Sequence, residues 1–114
     1  MAGVVLLIED DDAARDSLAR LLKARGYSVV PLATARDCMT VLDFMQPRYV
    51  VLDFRLPDGD AITLVERARA LAPNCRLVMI SGFTDAAETA AAHAVPFLAK
   101  PVDIDALVRA LHAA

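Results

Sequence analysis

The sequence predicts an α/β domain in which five parallel strands alternate with five helices, and three features of the chain carry that prediction. Continuous apolar runs of strand length recur along it, segments with helical apolar spacing lie between them, and the connections are short and punctuated by cap and turn residues. Such alternation closes as a parallel sheet covered on both faces, because each right-handed crossover lays its helix on one side. With 114 residues, 57% of them hydrophobic, the chain suffices for one substantial core and is too short for two.

The first run, Val4–Ile8, has the length and composition of a strand buried on both faces. A helix follows, with Ala14, Leu18, Leu21 and Leu22 at helical spacing and Gly26 just past its end, where a left-handed cap is wanted. Residues 27–32 form a weaker strand, and Thr34 with Asp37 three positions on opens the second helix as a shortened capping box. Cys38 and Met39 fall inside that helix and read as packing groups, not redox groups. The third strand is 49–52, which Tyr49 helps to start, and the third helix carries Ile62, Val65 and Ala68 between a cap at Asp60 and a stop at Pro73. After a fourth strand at 77–80, only about two helical turns, 85–92, fit before the fifth at 95–99, so the fourth helix is short and Ala-rich. Asp103 caps the fifth helix, and His93 and His112 read as solvent-side helix residues.

Charge and composition exclude several functions. A net charge of −3 with no basic run offers nothing to a nucleic-acid backbone, so direct nucleic-acid binding is not expected. No apolar stretch approaches the roughly 20 residues of a membrane span, and the N-terminus lacks a basic flank and a cleavage site, so a soluble, cytoplasmic protein is expected. Cys38 and Cys75 are far apart and have no nearby histidine, which suggests neither a zinc site nor a disulfide framework. No repeat, low-complexity tract or linker interrupts residues 1–114, which read as one domain without an output domain.

In open parallel sheets the ligand site lies beyond the carboxyl ends of the strands. Those positions hold Glu9-Asp10-Asp11, Asp53, Ser81 and Lys100. Each has an ordinary reading alone: acids opening a helix complement its dipole, Ser-Gly makes a turn, and Lys-Pro makes a loop. Gathered at one rim they make a charge problem, since two carboxylates about 4 Å apart repel by roughly 4 kcal/mol at an effective dielectric of about 20. A hard divalent cation offsets that repulsion. Mg²⁺ takes oxygen ligands, commonly one or two carboxylates with waters and a substrate phosphate, and such a site orients an aspartate oxygen for in-line attack on phosphorus. Lys100 would pair with Asp53 at rest and with a phosphoryl oxygen afterward, while the Ser81 hydroxyl bonds another.

These residues closely resemble the receiver domain of bacterial response regulators, the phosphorylated partner of two-component histidine kinases. The resemblance covers essentially the whole chain and rests on four ordered segments: Leu7-Ile8-Glu9-Asp10-Asp11-Asp12, Val51-Leu52-Asp53-Phe54-Arg55-Leu56-Pro57-Asp58-Gly59, Met79-Ile80-Ser81-Gly82 and Phe97-Leu98-Ala99-Lys100-Pro101. It implies a flavodoxin-like (βα)5 fold, a doubly wound parallel five-stranded sheet of strand order 2-1-3-4-5. It also implies Asp53 as phospho-acceptor, a Mg²⁺ or Mn²⁺ ion held by Asp10 and Asp53, by Glu9 through water and by the backbone carbonyl of Arg55, and Ser81 with Lys100 as the phosphoryl-sensing pair. Phe97 becomes the switch aromatic, Pro101 follows a cis bond, and Arg55 and Phe83 tune the phosphoryl lifetime. The expected function is signalling by phosphotransfer from a sensor histidine kinase or histidine phosphotransfer protein, with partly self-catalysed hydrolysis; the downstream partner is open, and a phosphorylation-dependent homodimer is among the outcomes.

The sequence departs from the family in three places. The stretch from Ser81 to Lys100 is about three residues short, His93-Ala94 replaces the glycine usual before the fifth strand, and Phe97 stands where tyrosine is common. Three other readings fit less well. A flavin or nucleotide binder would want small or hydroxyl residues after the first strand, where four acids stand. An aspartate-nucleophile phosphatase would want a second carboxylate at the position of Arg55. A receiver reduced to a docking surface would not need the full set of site residues.

Overall fold

A parallel sheet forms the middle layer of the protein, whose computed structural model describes residues 3–83 and 85–113. In chain order the first elements are β1 (Val4–Ile8), α1 (Asp12–Ala24), β2 (Ser28–Leu32), α2 (Ala35–Leu42) and β3 (Tyr49–Asp53). A short antiparallel hairpin follows, β4 (Arg55–Leu56) and β5 (Gly59–Asp60), which the sequence did not announce. The remainder is α3 (Ala61–Leu71), β6 (Arg76–Ser81), α4 (Ala86–Ala92), β7 (Phe97–Ala99) and α5 (Ile104–His112). The main sheet runs β2-β1-β3-β6-β7, all parallel, which is the predicted 2-1-3-4-5 when only its own strands are counted.

Alternation along the strands sorts the core into two layers. Val5, Leu7, Val51, Val78 and Ile80 pack with Leu18 and Leu22 of α1 and Leu107 and Leu111 of α5. Leu6, Ile8, Val50, Leu52 and Met79 pack on the opposite side with Cys38 and Leu42 of α2 and Leu64 and Val65 of α3. Because β1 and β3 are covered on both sides, they are apolar throughout up to Ile8 and Leu52, and each fully buried leucine contributes about 1.5–3 kcal/mol. Leu21, expected on the apolar stripe of α1, lies at its edge and is exposed.

Four helices begin with a side-chain cap on extended backbone. Asp11, Thr34, Asp60 and Asp103 accept from the N–H groups of Ala14 (2.8 Å), Asp37 (3.1 Å), Ile62 (3.0 Å) and Ala106 (3.1 Å). Helix α2 gains a second cap across the chain, because Asp58 in the β4–β5 turn accepts from Ala35 N–H at 2.8 Å and Arg36 N–H at 3.1 Å. Helix α1 ends as expected, with Gly26 at φ +93° and Tyr27 N–H closing onto Leu22 O. That bond holds Tyr27 outside β2, which starts one residue later than predicted.

Helix α4 differs. Asp85 stands at its N-cap in helical conformation and makes no side-chain cap bond. At its C-terminus Ala94 N–H bonds Ala91 O and Val95 N–H bonds Ala90 O, with Ala94 at φ +56° where glycine is favoured. An alanine there costs about 1–2 kcal/mol. Arg69 of α3 offsets part of it by donating to His93 O at 2.6 Å and Ala94 O at 3.2 Å. Val95 therefore closes the cap, and the last strand begins at Phe97, not at Val95.

The histidines divide: His93 corrects the solvent-side reading, whereas His112 is exposed as expected. His93 is half-buried at the C-cap of α4, its Nδ1 3.0 Å from Thr89 O. His112 places Nε2 2.6 Å from the Tyr27 hydroxyl and sets its ring 5.6 Å from Tyr49, which ties the end of α5 to the base of the sheet.

Candidate functional site

Glu9 follows β1, Asp53 ends β3, Ser81 ends β6 and Lys100 follows β7, so four strands deliver polar groups to one rim. Strand parity decides which of them meet. Glu9 continues the positions of Val5 and Leu7, Asp53 those of Tyr49 and Val51, and Lys100 that of Leu98, all of which face α1 and α5. The three charges extend one face of the sheet past the end of its apolar core. There Lys100 Nζ lies 2.7 Å from Asp53 Oδ2 and also donates to Glu9 Oε1.

Asp10, one residue out of that parity and exposed, joins from the loop. One carboxylate oxygen from each of Glu9, Asp10 and Asp53 lies within 4.8 Å of the other two. Of the four consecutive acids, Glu9 and Asp10 thus belong to the rim, whereas Asp11 caps α1 and Asp12 pairs with Arg15 at 2.5 Å in its first turn. Glu9 is fully buried, Asp53 is 5% exposed and Ser81 is 1% exposed. Their bonds account for this burial: Glu9 Oε2 accepts from Asp11 N–H at 3.2 Å, and Asp53 Oδ1 accepts from Arg55 N–H at 3.1 Å. Among the described residues no buried side-chain polar atom lacks a partner.

The electrostatics remain unbalanced. Burial pushes Glu9 up to about 7, the Lys100 bond pulls it down, and the neighbouring Asp53 carboxylate pushes it up again. Burial opposes the charge on Lys100, but its bonds to Asp53 and Glu9 prevail and raise its pKa. Three carboxylates face one ammonium. The donor set is all oxygen, compact and under-neutralised, which suits a hard divalent cation.

Ser81 sits one residue beyond Ile80, the partner of Asp53 in the β3–β6 register; its hydroxyl accepts from Phe83 N–H at 3.0 Å, and its carbonyl accepts from Lys100 N–H at 2.9 Å. Its parity with Leu77 and Met79 puts it on the face that carries Phe97, which is half-buried on β7 against the α2–α3 layer. The Lys100–Pro101 peptide is cis. Beside the rim, a groove of about 470 Å³ runs between α1 and the turn after β7, lined by Leu18, Leu21, Pro101 and Val102 together with Glu9 and Lys100.

Arg55 and Phe83 meet directly. The guanidinium carbon stands 3.9 Å from the Phe83 ring centroid, and Arg55 Nη2 is 3.4 Å from Asp85 Oδ2. Sequence reading missed Asp85 and Asp58 as partners. Asp58 had a local signal, the Asp-Gly turn, whereas Asp85 read only as a helix opener.

Comparison with known proteins agrees with this geometry. Residues 5–112 match the response regulator receiver domain family. The photosynthetic apparatus regulatory protein RegA of Rhodobacter capsulatus is 33% identical over 110 residues, covering 94% of this chain and 60% of RegA. The chain thus spans about three-fifths of that relative's length. The crystal structure of the receiver domain from the hybrid histidine kinase CckA superposes with a TM-score of 0.79 at 32% identity and covers 94% of each chain. The beryllofluoride-activated NtrC4 receiver domain dimer, solved in solution, gives a TM-score of 0.85 at 26% identity, covering 98% of this chain and 95% of that one. The four motifs, the sheet order and the match over nearly all of the sequence lead to one assignment: the chain belongs to the response regulator receiver domain family of two-component systems.

Proposed function

We propose that this receiver takes a phosphoryl group on Asp53 from a phosphohistidine of a sensor kinase or phosphotransfer protein, in a reaction dependent on Mg²⁺ or Mn²⁺. The observation that carries the reading is the Lys100–Asp53 contact of 2.7 Å beside the three clustered carboxylates. An Asp53 oxygen attacks phosphorus, the new P–O bond forms as the P–N bond to imidazole breaks, and the ring nitrogen leaves with the electron pair. Lys100 holds the Asp53 side chain in place and then donates to a phosphoryl oxygen. The Ser81 hydroxyl, which accepts from Phe83 N–H, turns to donate its own proton to a phosphoryl oxygen, and Phe97 on the same face follows that movement. Glu9, Asp10, Asp53 and the Arg55 carbonyl would hold the cation, which when bound neutralises the rim and screens an incoming phosphoryl dianion.

Burial of Asp53 excludes bulk water from the acyl phosphate, while Arg55 and Phe83 stack at the mouth and tune its hydrolysis. The groove beside Lys100 offers the donor protein an apolar footing next to the acceptor. No helix among the described residues is long and apolar enough to cross a membrane, in keeping with the cytoplasmic setting of such signalling. A phosphorylation-dependent dimer is a further expectation; the NtrC4 receiver is described as a dimer in its beryllofluoride-activated form. Acetyl phosphate with Mg²⁺, followed by intact mass, tests the reading. One added phosphoryl group on the parent and none on Asp53→Asn is the expected result; an unmodified parent, or equal modification of the variant, refutes it.

A further inference from the structure

Helix α4 is lightly packed, and an arginine reaches it at each end. Its buried residues are Ala86 and Ala90, which bring one methyl group each to the core, and it lacks the side-chain cap that the other four helices have. Arg69 grips its C-terminal carbonyls. At the other end, the carboxylate that stands at the capping position, Asp85, is turned toward Arg55 at 3.4 Å, and the same guanidinium lies on the Phe83 ring. Arg55 in turn springs from the rim of the pocket, since its N–H bonds Asp53 Oδ1.

We infer that the Arg55–Asp85 pair is a latch on α4 that added negative charge at Asp53 releases. The inference rests on the reading of Asp53 as the phosphoryl acceptor and goes beyond it by assigning the coupling to Asp85. An acyl phosphate in place of the carboxylate adds about one negative charge to a rim that already carries three carboxylates and one lysine. That charge competes with Asp85 for Arg55. The pair is weak enough to lose, because both side chains are more than half exposed, and an exposed pair at this distance favours its closed form by about five-fold or less. Once Arg55 turns inward, the N-terminus of α4 has neither latch nor side-chain cap, and only the two alanines and the Arg69 grip at the far end still hold the helix.

The test uses the full chain with Mg²⁺ and acetyl phosphate, as wild type, Asp85→Asn, Arg55→Ala and the double variant. Intact mass reads phosphoryl uptake and decay, and hydrogen exchange reads Ala86–Ala92. Phosphorylation of the wild type is expected to speed exchange in α4 about two- to five-fold. Asp85→Asn should take up the phosphoryl group normally, show the fast exchange before any is added, and gain nothing further from it. Its phosphoryl lifetime should differ from wild type about two- to five-fold, and that difference should vanish in the Arg55→Ala background. A phosphorylated wild type with unchanged α4 exchange, or an Asp85→Asn effect on lifetime that persists without Arg55, overturns the latch and leaves Asp53 standing as acceptor. Absence of uptake by the wild type overturns the reading of Asp53 and the latch's trigger together, whereas unphosphorylated Asp85→Asn exchanging like wild type removes the latch alone.

Discussion

Replacing Asp10 by asparagine separates the two consequences of crowding acids at the rim. Asp10 is exposed and within 4.8 Å of carboxylate oxygens of Glu9 and Asp53, so without metal it contributes repulsion to the cluster. At 4.8 Å one such repulsion is about 1 kcal/mol at the dielectric of water and about 3.5 kcal/mol at a dielectric near 20. The exposure of Asp10 places it near the lower figure, and Glu9, pushed up to about 7, carries only part of its charge at neutral pH. The relief on mutation is therefore about 1–2 kcal/mol, or roughly 4–8 °C in Tm for a domain of this size. Metal reverses the sign. A cation at ten times its Kd stabilises the wild type by about 1.4 kcal/mol, and Asp10→Asn, lacking one of three carboxylates, recovers less of it. Thermal melts in chelator and across a Mg²⁺ titration should show the variant melting higher without metal and responding less as metal is added. A variant that melts at or below wild type in chelator, or that keeps the full response to Mg²⁺, would refute the reasoning.

Ala94→Gly should stabilise the protein by about 1 kcal/mol in chemical denaturation, because it removes the left-handed alanine at the end of α4 while leaving the Arg69 clamp intact. Gly59→Ala should cost about 1–3 kcal/mol, since a Cβ there would lie 2.5 Å from the Ala35 Cβ at the start of α2. Asp58→Ala should lower Tm at neutral pH by removing the second cap of α2. The N–H groups of Ala35 and Arg36 hold the Asp58 carboxyl below the ordinary aspartate range, so its contribution is present above the unfolded pKa and lost as pH falls through the folded one. The two melting curves should converge below about pH 4. Burial pushes the Cys38 thiol up to about 12, so at pH 8 a thiol reagent should modify the half-buried Cys75 and leave Cys38 untouched until the protein unfolds; equal reaction of both would contradict the packing of α2.

The parts of this fold legible in the sequence are those in which a single physical rule acts locally. Val4–Ile8 reads as a strand because both faces are buried, and Asp60 and Asp103 read as caps because the residues after them are helical. The site was legible for the same reason, since topology sends every strand end to one rim. Parity gives a further step from sequence: counting by twos from Val5, Val51 and Leu98 singles out Glu9, Asp53 and Lys100 as the groups that touch and sets Ser81 on the other face. What could not be read depends on two elements at once. Asp58 caps a helix that begins 23 residues before it, Arg69 holds carbonyls beyond the next strand, and His112 finds Tyr27 from the far end of the chain. No window of the sequence holds both partners of any of these pairs. The displaced start of β7 follows from the same limit, because Val95 looks like a strand residue until the cap of α4 claims its N–H.

The core and the rim impose opposite demands on the same strands. β1 from Val5 to Ile8 and β3 from Tyr49 to Leu52 are buried on both faces, and that apolar packing supplies the stability against which a buried Glu9 and an almost buried Asp53 are held. Asp53 ends a rigid strand and Glu9 directly follows one, so their repulsion cannot spread them apart, and with Asp10 from the adjoining loop they stay within 4.8 Å, a charge that a hard cation could meet. The lightly packed α4 lies at the other extreme. A change of one charge at Asp53 is too small to move β3, which is buried throughout, but it is comparable to what holds two alanines and an exposed ion pair. Rigidity at Asp53 and weakness at α4 therefore complement one another: the energy of a local charge change would appear as motion only where little packing resists it.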